Sequence, residues 1–169
     1  MSETGGTPSR PKYDKAILRI EIDHNDPANL VLVSATLEMI MLVKTSDLTG
    51  RALDWAVAKC DKRTIGFNLG GGLEVRGRTE DGAELPEQWD LWMPWHPSTR
   101  WDQGGPIIER EGITISKTAH GFWEAYKRPA STQECYQVDG SPIVAAMRCF
   151  VASKLGDTVE VPDELLETV

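Results

Sequence analysis

The sequence predicts an α+β fold: a small mixed or antiparallel sheet packed against two main helices, with long irregular Trp-rich loops. Three observations predict it. Two segments, 49–61 and 141–156, repeat apolar residues at helical spacing between good start and stop signals. Several shorter segments alternate with a period of two. Helical and strand patterns do not follow one another regularly, as a parallel α/β sheet requires. A chain of 169 residues, 40% of them hydrophobic, suffices for a core without disulfides or metal, while 15 Gly and 10 Pro imply many turns.

Met1 to Tyr13 is dominated by Gly, Ser, Thr and Pro and reads as a disordered leader. Ala16–Ile22 and Leu30–Leu37 are strand-like and flank the turn signal His24-Asn25-Asp26-Pro27-Ala28-Asn29, which makes them a candidate hairpin. The more coherent pattern begins near Met41. Residues 1–40 are therefore assigned as an N-terminal extension, and 41–169 as a single globular domain.

The first clear helix lies in KTSDLTGRALDWAVAKCDK. Thr49 suits its start, Leu53, Ala56, Val57 and Cys60 share one face, and Lys59, Lys62 and Arg63 complement the negative end of the helix dipole near Asp61. TIGFNLGGGLEVRG follows as two short strands around Gly70-Gly71-Gly72. That run lacks both GxGxxG and GxxxxGK[ST], so a structural turn is preferred over a phosphate loop. TEDGAELPEQ is a polar loop with a turn at Asp81-Gly82.

WDLWMPWHPSTRW gathers Trp89, Trp92, Trp95 and Trp101, while Pro94 and Pro97 prevent a continuous helix. The four rings either plug one side of the core or line a pocket or interface; the pattern leaves both open. In DQGGPIIEREGITISK, Gly104-Gly105-Pro106 reads as a rigid turn with nearby exposed amides, anchored by Ile107 and Ile108. Ile113–Ser116 and Gly121–Arg128 read as adjacent strands, with Phe122, Glu124 and Tyr126 on one face and Trp123 and Ala125 on the other. The clearest helix is GSPIVAAMRCFVASKLG, with Ser141 at its N-cap, Pro142 in the first turn and Gly156 closing it. Its apolar stripe marks it as the central helix of the core. Arg148, at the edge of that stripe, is expected to cover the surface. A short strand and an acidic, solvated turn end the chain.

The net charge of -8, from 18 Lys and Arg against 26 Asp and Glu, opposes nonspecific attraction to nucleic acid and anionic lipid. No apolar run is long enough to span a bilayer, and the N-terminus lacks the basic start and apolar core of a signal peptide. The cytoplasm is the expected location. The three cysteines resemble neither a disulfide framework nor a zinc site. Cys60 and Cys149 are expected to be buried and Cys135 exposed.

Three stretches, MLVKTSDLTGRALDWAVAKC, PSTRWDQGGPIIEREGI and DGSPIVAAMRCFVASKLGDTVEVPDEL, resemble small tailed-phage and prophage proteins of the Nin-region protein X type. The resemblance spans roughly residues 41–165. It implies an accessory phage gene product acting in an infected or lysogenic bacterium. The family carries Asp before the tryptophan of its WxQGGPI motif. This chain has Arg100 there, which implies a different charge balance at that position.

No G-x-S-x-G, H-E-x-x-H or paired Cys/His spacing is present, and His24, His96 and His120 lie far apart. No catalytic residue, metal ligand or cofactor is assigned. The leading expectation is a binding protein that takes a nucleotide-derived small molecule, so countering host defence. Its candidate site residues are Trp95, Arg100, Trp101, Asp102, Gln103, Gly104, Gly105, Arg110 and Arg148: rings for a flat ligand, guanidinium groups for phosphate or carboxylate, loop amides for an anion. The alternative is a protein-binding inhibitor or modulator of a host or phage enzyme, since Trp and Arg are frequent hot-spot residues. A small enzyme is a further alternative, a homo-oligomer is compatible with either binding role, and a nucleic-acid partner is disfavoured because no basic track exists.

Overall fold

The computed structural model describes residues 13–22, 32–78, 83, 85, 91–127 and 135–166. The leader, the turn at 24–29, Trp89 and most of the loop 79–88 lie outside the described residues. The α+β expectation holds, with two differences. The strands divide among three small sheets, and a third helix occupies the segment read as a Gly-Gly-Pro turn.

Contacts separate the chain into two compact units, Met1–Leu42 with Glu160–Val169, and Val43–Val159. In the first, β1 (Tyr13–Ile22) and β2 (Leu32–Lys44) form the antiparallel hairpin expected from their alternation, with Leu18 opposite Leu37 and Ile20 opposite Ala35. The last strand, β9 (Thr158–Pro162), joins them in the order β1-β2-β9, and a short 3-10 turn, Asp163–Leu165, follows.

The second unit begins with the 3-10 turn Thr45–Asp47 and α1 (Gly50–Cys60). Leu53, Ala56 and Val57 are fully buried on one face of α1. Thr49 takes the N-cap position, yet its side chain makes no cap hydrogen bond. Strands β3 (Ile65–Phe67), β4 (Leu73–Arg76) and β5 (Trp92–Pro94) make an antiparallel sheet in that order. The Gly70-Gly71-Gly72 run is the turn between β3 and β4. Asn68 ties it by accepting from the amides of Gly70 (3.0 Å) and Gly72 (2.8 Å) through Oδ1.

α2 (Trp101–Glu111) is the main departure from the sequence reading. Three residues that weaken a helix, Gly104, Gly105 and Pro106, sit inside it, and tertiary packing outweighs them. A Cβ on Gly104 would stand 2.6 Å from the Pro97 carbonyl oxygen and 3.0 Å from Ile143 Cδ1. Only glycine permits that close an approach to the preceding turn. Gly112, at φ 65°, ends the helix in the left-handed conformation that glycine adopts without a Cβ penalty.

Strands β6 (Ile113–Lys117), β7 (Trp123–Lys127) and β8 (Gln137–Asp139) form the third antiparallel sheet, and α3 (Pro142–Leu155) is the central helix. α3 packs on α1, α2 and all three strands of this sheet. Ala145, Ala146, Met147, Cys149, Phe150 and Val151 are at most 1% exposed. Each large apolar side chain buried there contributes about 1.5–3 kcal/mol, and Phe150→Ala would cost about 3–5 kcal/mol. The far end of α3 is tied to the chain after β2: the Thr45 hydroxyl donates to the Gly156 carbonyl (2.7 Å) and the Thr45 amide to that of Asp157 (2.8 Å).

Two further expectations are corrected. Arg148 does not cover the surface; it is 6% exposed. Its Nε donates to the Leu48 carbonyl (2.9 Å) and its Nη1 to Asp139 (2.7 Å). Burial of a cation is tolerated here because both of these hydrogen bonds accompany it. Cys135 is not exposed but 2% accessible, and it is disulfide-bonded to Cys149, with Cα atoms 4.8 Å apart. The fold sets Cys135, just before β8, against Cys149 in the middle of α3, which spacing alone does not disclose.

Candidate functional site

At the C-terminal end of α1, Asp61 draws three arginines together. Its side chain is 5% exposed and accepts from Arg63 Nε (2.8 Å) and Arg110 Nη2 (2.8 Å), with Arg78 Nη1 at 3.6 Å. Arg78 Nη2 also donates to the carbonyls of Asp61 (2.9 Å) and Lys62 (3.0 Å), adding a second cation to the end of α1, whose last turn already carries Lys59. Arg63 lies over the Trp95 ring, 4.5 Å from its centroid. Trp95 is itself pinned, its indole N–H donating to the Asp54 carbonyl (3.1 Å).

Gln103 joins α2 to the chain leaving β5. Its Nε2 donates to the Pro94 carbonyl (2.8 Å), and its Oε1 accepts from the His96 amide (2.6 Å). Both ends of one amide thus hold a neighbouring backbone in place. Arg100, just before α2, makes a forked ion pair with Asp102, Nε to Oδ1 at 3.1 Å and Nη2 to Oδ2 at 2.7 Å. Each holds the other charged: the hydrogen bond from Arg100 moves the Asp102 carboxyl down, and that to Asp102 moves the Arg100 guanidinium up.

These elements enclose a cleft of about 350 Å³. Buried Val75, Trp95 and Ile107 supply its apolar part, Arg63 and Asp61 its inner charges, and exposed Arg100, Asp102 and Arg110 its mouth. Beside the cleft, Asp54 is 3% exposed. It accepts from the Ser98 amide (2.9 Å) and stands 3.6 Å from His96 Nδ1. Burial raises its pKa, against the opposing effect of those two neighbours.

The fold brings Trp95, Arg100, Asp102, Gln103 and Arg110 of the sequence-derived set to one cleft. The others go elsewhere. Trp101, 52% exposed, is not among the lining residues. Gly104 is packed beneath Pro97 and Ile143, and Gly105 faces open space. Neither supplies the loop amides expected of a turn, because both lie within α2. Arg148 does not line the cleft and is engaged in the core. Sequence reasoning missed Asp61 and Arg63. They follow a helix whose basic end was explained by the dipole alone, whereas Asp61 bonds to Arg110, 49 residues away. Among the described residues, no group of His, Cys, Asp or Glu could hold a metal ion, and no helix is long and apolar enough to cross a membrane.

Fold and site together define a small α+β protein with an arginine-rimmed cleft between a three-stranded sheet and a helix. The chain belongs to the family described as Bacteriophage P22, NinX, whose model matches residues 44–154. It is thus a phage accessory protein. The matched span includes α1, the cleft and all but the last residue of α3. No curated protein matches the chain.

Proposed function

We propose that this phage accessory protein binds a small anionic molecule in the cleft, of the nucleotide-derived class, and counters host defence by sequestering it. One observation carries the reading: Arg63, Arg100 and Arg110 against Asp61 and Asp102 leave a surplus of positive charge around an apolar pocket, in a chain whose net charge is -8. Paired arginines held in fixed orientations suit phosphate or carboxylate, and the buried wall suits a flat apolar body. A volume of about 350 Å³ is near the lower end of ligand pockets, which fits one nucleotide-sized molecule per chain.

The test is an amide-resolved NMR titration with adenosine 5′-monophosphate. Shifts concentrated at Val75, Met93, Trp95 and Ile107, and lost in Arg110→Gln, are the expected result. Absence of shifts at the cleft would reject a nucleotide ligand. A protein-binding role is favoured by a different observation: Trp101 stands half exposed beside Arg100, a pairing common at interface hot spots. Trp101→Ala separates the two readings, since it would weaken a protein complex and leave the cleft's affinity for the nucleotide unchanged.

A further inference from the structure

The sheet β6-β7-β8 buries one face against α3, where Ala125 is fully inaccessible. A solvated antiparallel sheet face is ordinarily polar. Here it is not. Glu124 and Tyr126 of β7 point to this side, Phe122 precedes them in the same alternation, and Val138 lies opposite Glu124 on β8. Phe122 is 52% exposed, Tyr136 45% and Val138 40%.

Among these rings stands one carboxylate. Glu124 accepts from the hydroxyls of Ser116 (2.6 Å) and Tyr136 (2.9 Å). These bonds fix its position and lower its pKa, so it stays ionised. Asp61, Asp102, Glu111 and Asp139 each have a cationic partner within the chain. Among the described residues Glu124 has none; its bonds come from neutral hydroxyls.

We infer that this sheet face docks a protein segment presenting an arginine flanked by apolar residues, with the guanidinium on Glu124 and among the rings of Phe122, Tyr126 and Tyr136. A fixed anion bordered by aromatic faces favours a cation carried on an apolar stem, and guanidinium is both planar and weakly hydrated. Val138 and Phe122 supply contact area for the flanking residues. The chain's net charge of -8 assists approach of a cationic partner. This surface is independent of the cleft residues.

The experiment titrates the isotope-labelled full chain with the peptide acetyl-Gly-Leu-Arg-Leu-Gly-amide, and separately with the same peptide carrying citrulline in place of arginine. Citrulline keeps shape and removes charge, so the comparison does not depend on a variant protein folding. The arginine peptide should shift amides of β6, β7 and β8 and bind about three- to tenfold more tightly than the citrulline peptide. Glu124→Gln should abolish that preference, and Phe122→Ser should weaken both peptides. Equal binding of the two peptides, or shifts away from this sheet, would overturn the assignment. So would a concentration-dependent dimer, seen by sedimentation and lost in Phe122→Ser, because the occupant would then be a second copy of the chain.

Discussion

Replacing Gly104 and Gly105 one at a time with alanine sets helix propensity against packing at neighbouring positions of α2. On propensity alone each change stabilises by about 0.5–1 kcal/mol. At Gly105 nothing beyond its chain neighbours lies within 4 Å of the new methyl, so only the steric penalty of a Cβ just before Pro106 trims the gain. At Gly104 the methyl would be nearly an ångström inside ordinary contact with the Pro97 carbonyl oxygen, a backbone atom that cannot swing aside, and tight against Ile143. Overpacking of that kind costs about 1–3 kcal/mol, which leaves Gly104→Ala destabilised by about 1–2 kcal/mol. The two variants should differ by about 2 kcal/mol, or roughly 1 M in urea midpoint for a slope near 2 kcal/mol/M. Urea unfolding followed by circular dichroism at constant slope provides the measurement. Variants that shift in the same direction would refute the claim that close approach, not backbone freedom, sets the identity of residue 104.

Other perturbations have equally definite outcomes. Arg148→Met should cost about 2–4 kcal/mol in urea unfolding, because it removes the donor to the Leu48 carbonyl and the cation beside Asp139, which keeps only its bond from the Ser141 amide. Glu111 bonds Lys127 (2.8 Å) and Lys154 (3.0 Å), joining α2 to β7 and α3. Burial pushes its carboxyl up, but the two lysines together outweigh this and hold it at about 2. A folded pKa below the ordinary value near 4.5 gives stability that is present above that value and lost as pH falls toward 2. Allowing for solvent screening of the exposed lysines, Glu111→Gln should cost about 1–2 kcal/mol at pH 7, and the deficit should vanish near pH 2; a deficit constant with pH would contradict the ion-pair account. Burial pushes the Cys60 thiol up to about 12, so maleimide at pH 8 should label the native protein slowly. Denaturation without reductant should then expose one thiol, and denaturation with reductant three, as the Cys135–Cys149 bond requires.

What was legible in the sequence was local. Ser141-Pro142 and Gly156 bracket α3 at the expected positions, alternation marks the β1-β2 and β6-β7 pairs, and the glycine run is a turn. α2 was not legible because its local signals argue against a helix. Long-range contacts decide there: Gln103 bonds to Pro94 and His96, and Gly104 packs under Pro97 and Ile143. Arg148 misled for a similar reason. It reads as the flank of an amphipathic helix, yet α3 is enclosed on nearly every side, and one of its partners, Leu48, is 100 residues away. Part of the cleft was recognisable from Trp95 to Arg110, where its residues lie close in sequence. Asp61 and Arg63, just past the end of α1, become part of it only through the fold, which pairs Asp61 with Arg110.

Native mass spectrometry of the protein recovered from infected bacteria measures whether the cleft is filled. A small-molecule increment of one per chain, lost on denaturation and absent from Arg110→Gln, is the expected spectrum. The bare mass alone, or an increment that Arg110→Gln retains, would contradict the assignment of the arginine-rimmed cleft as the site of sequestration.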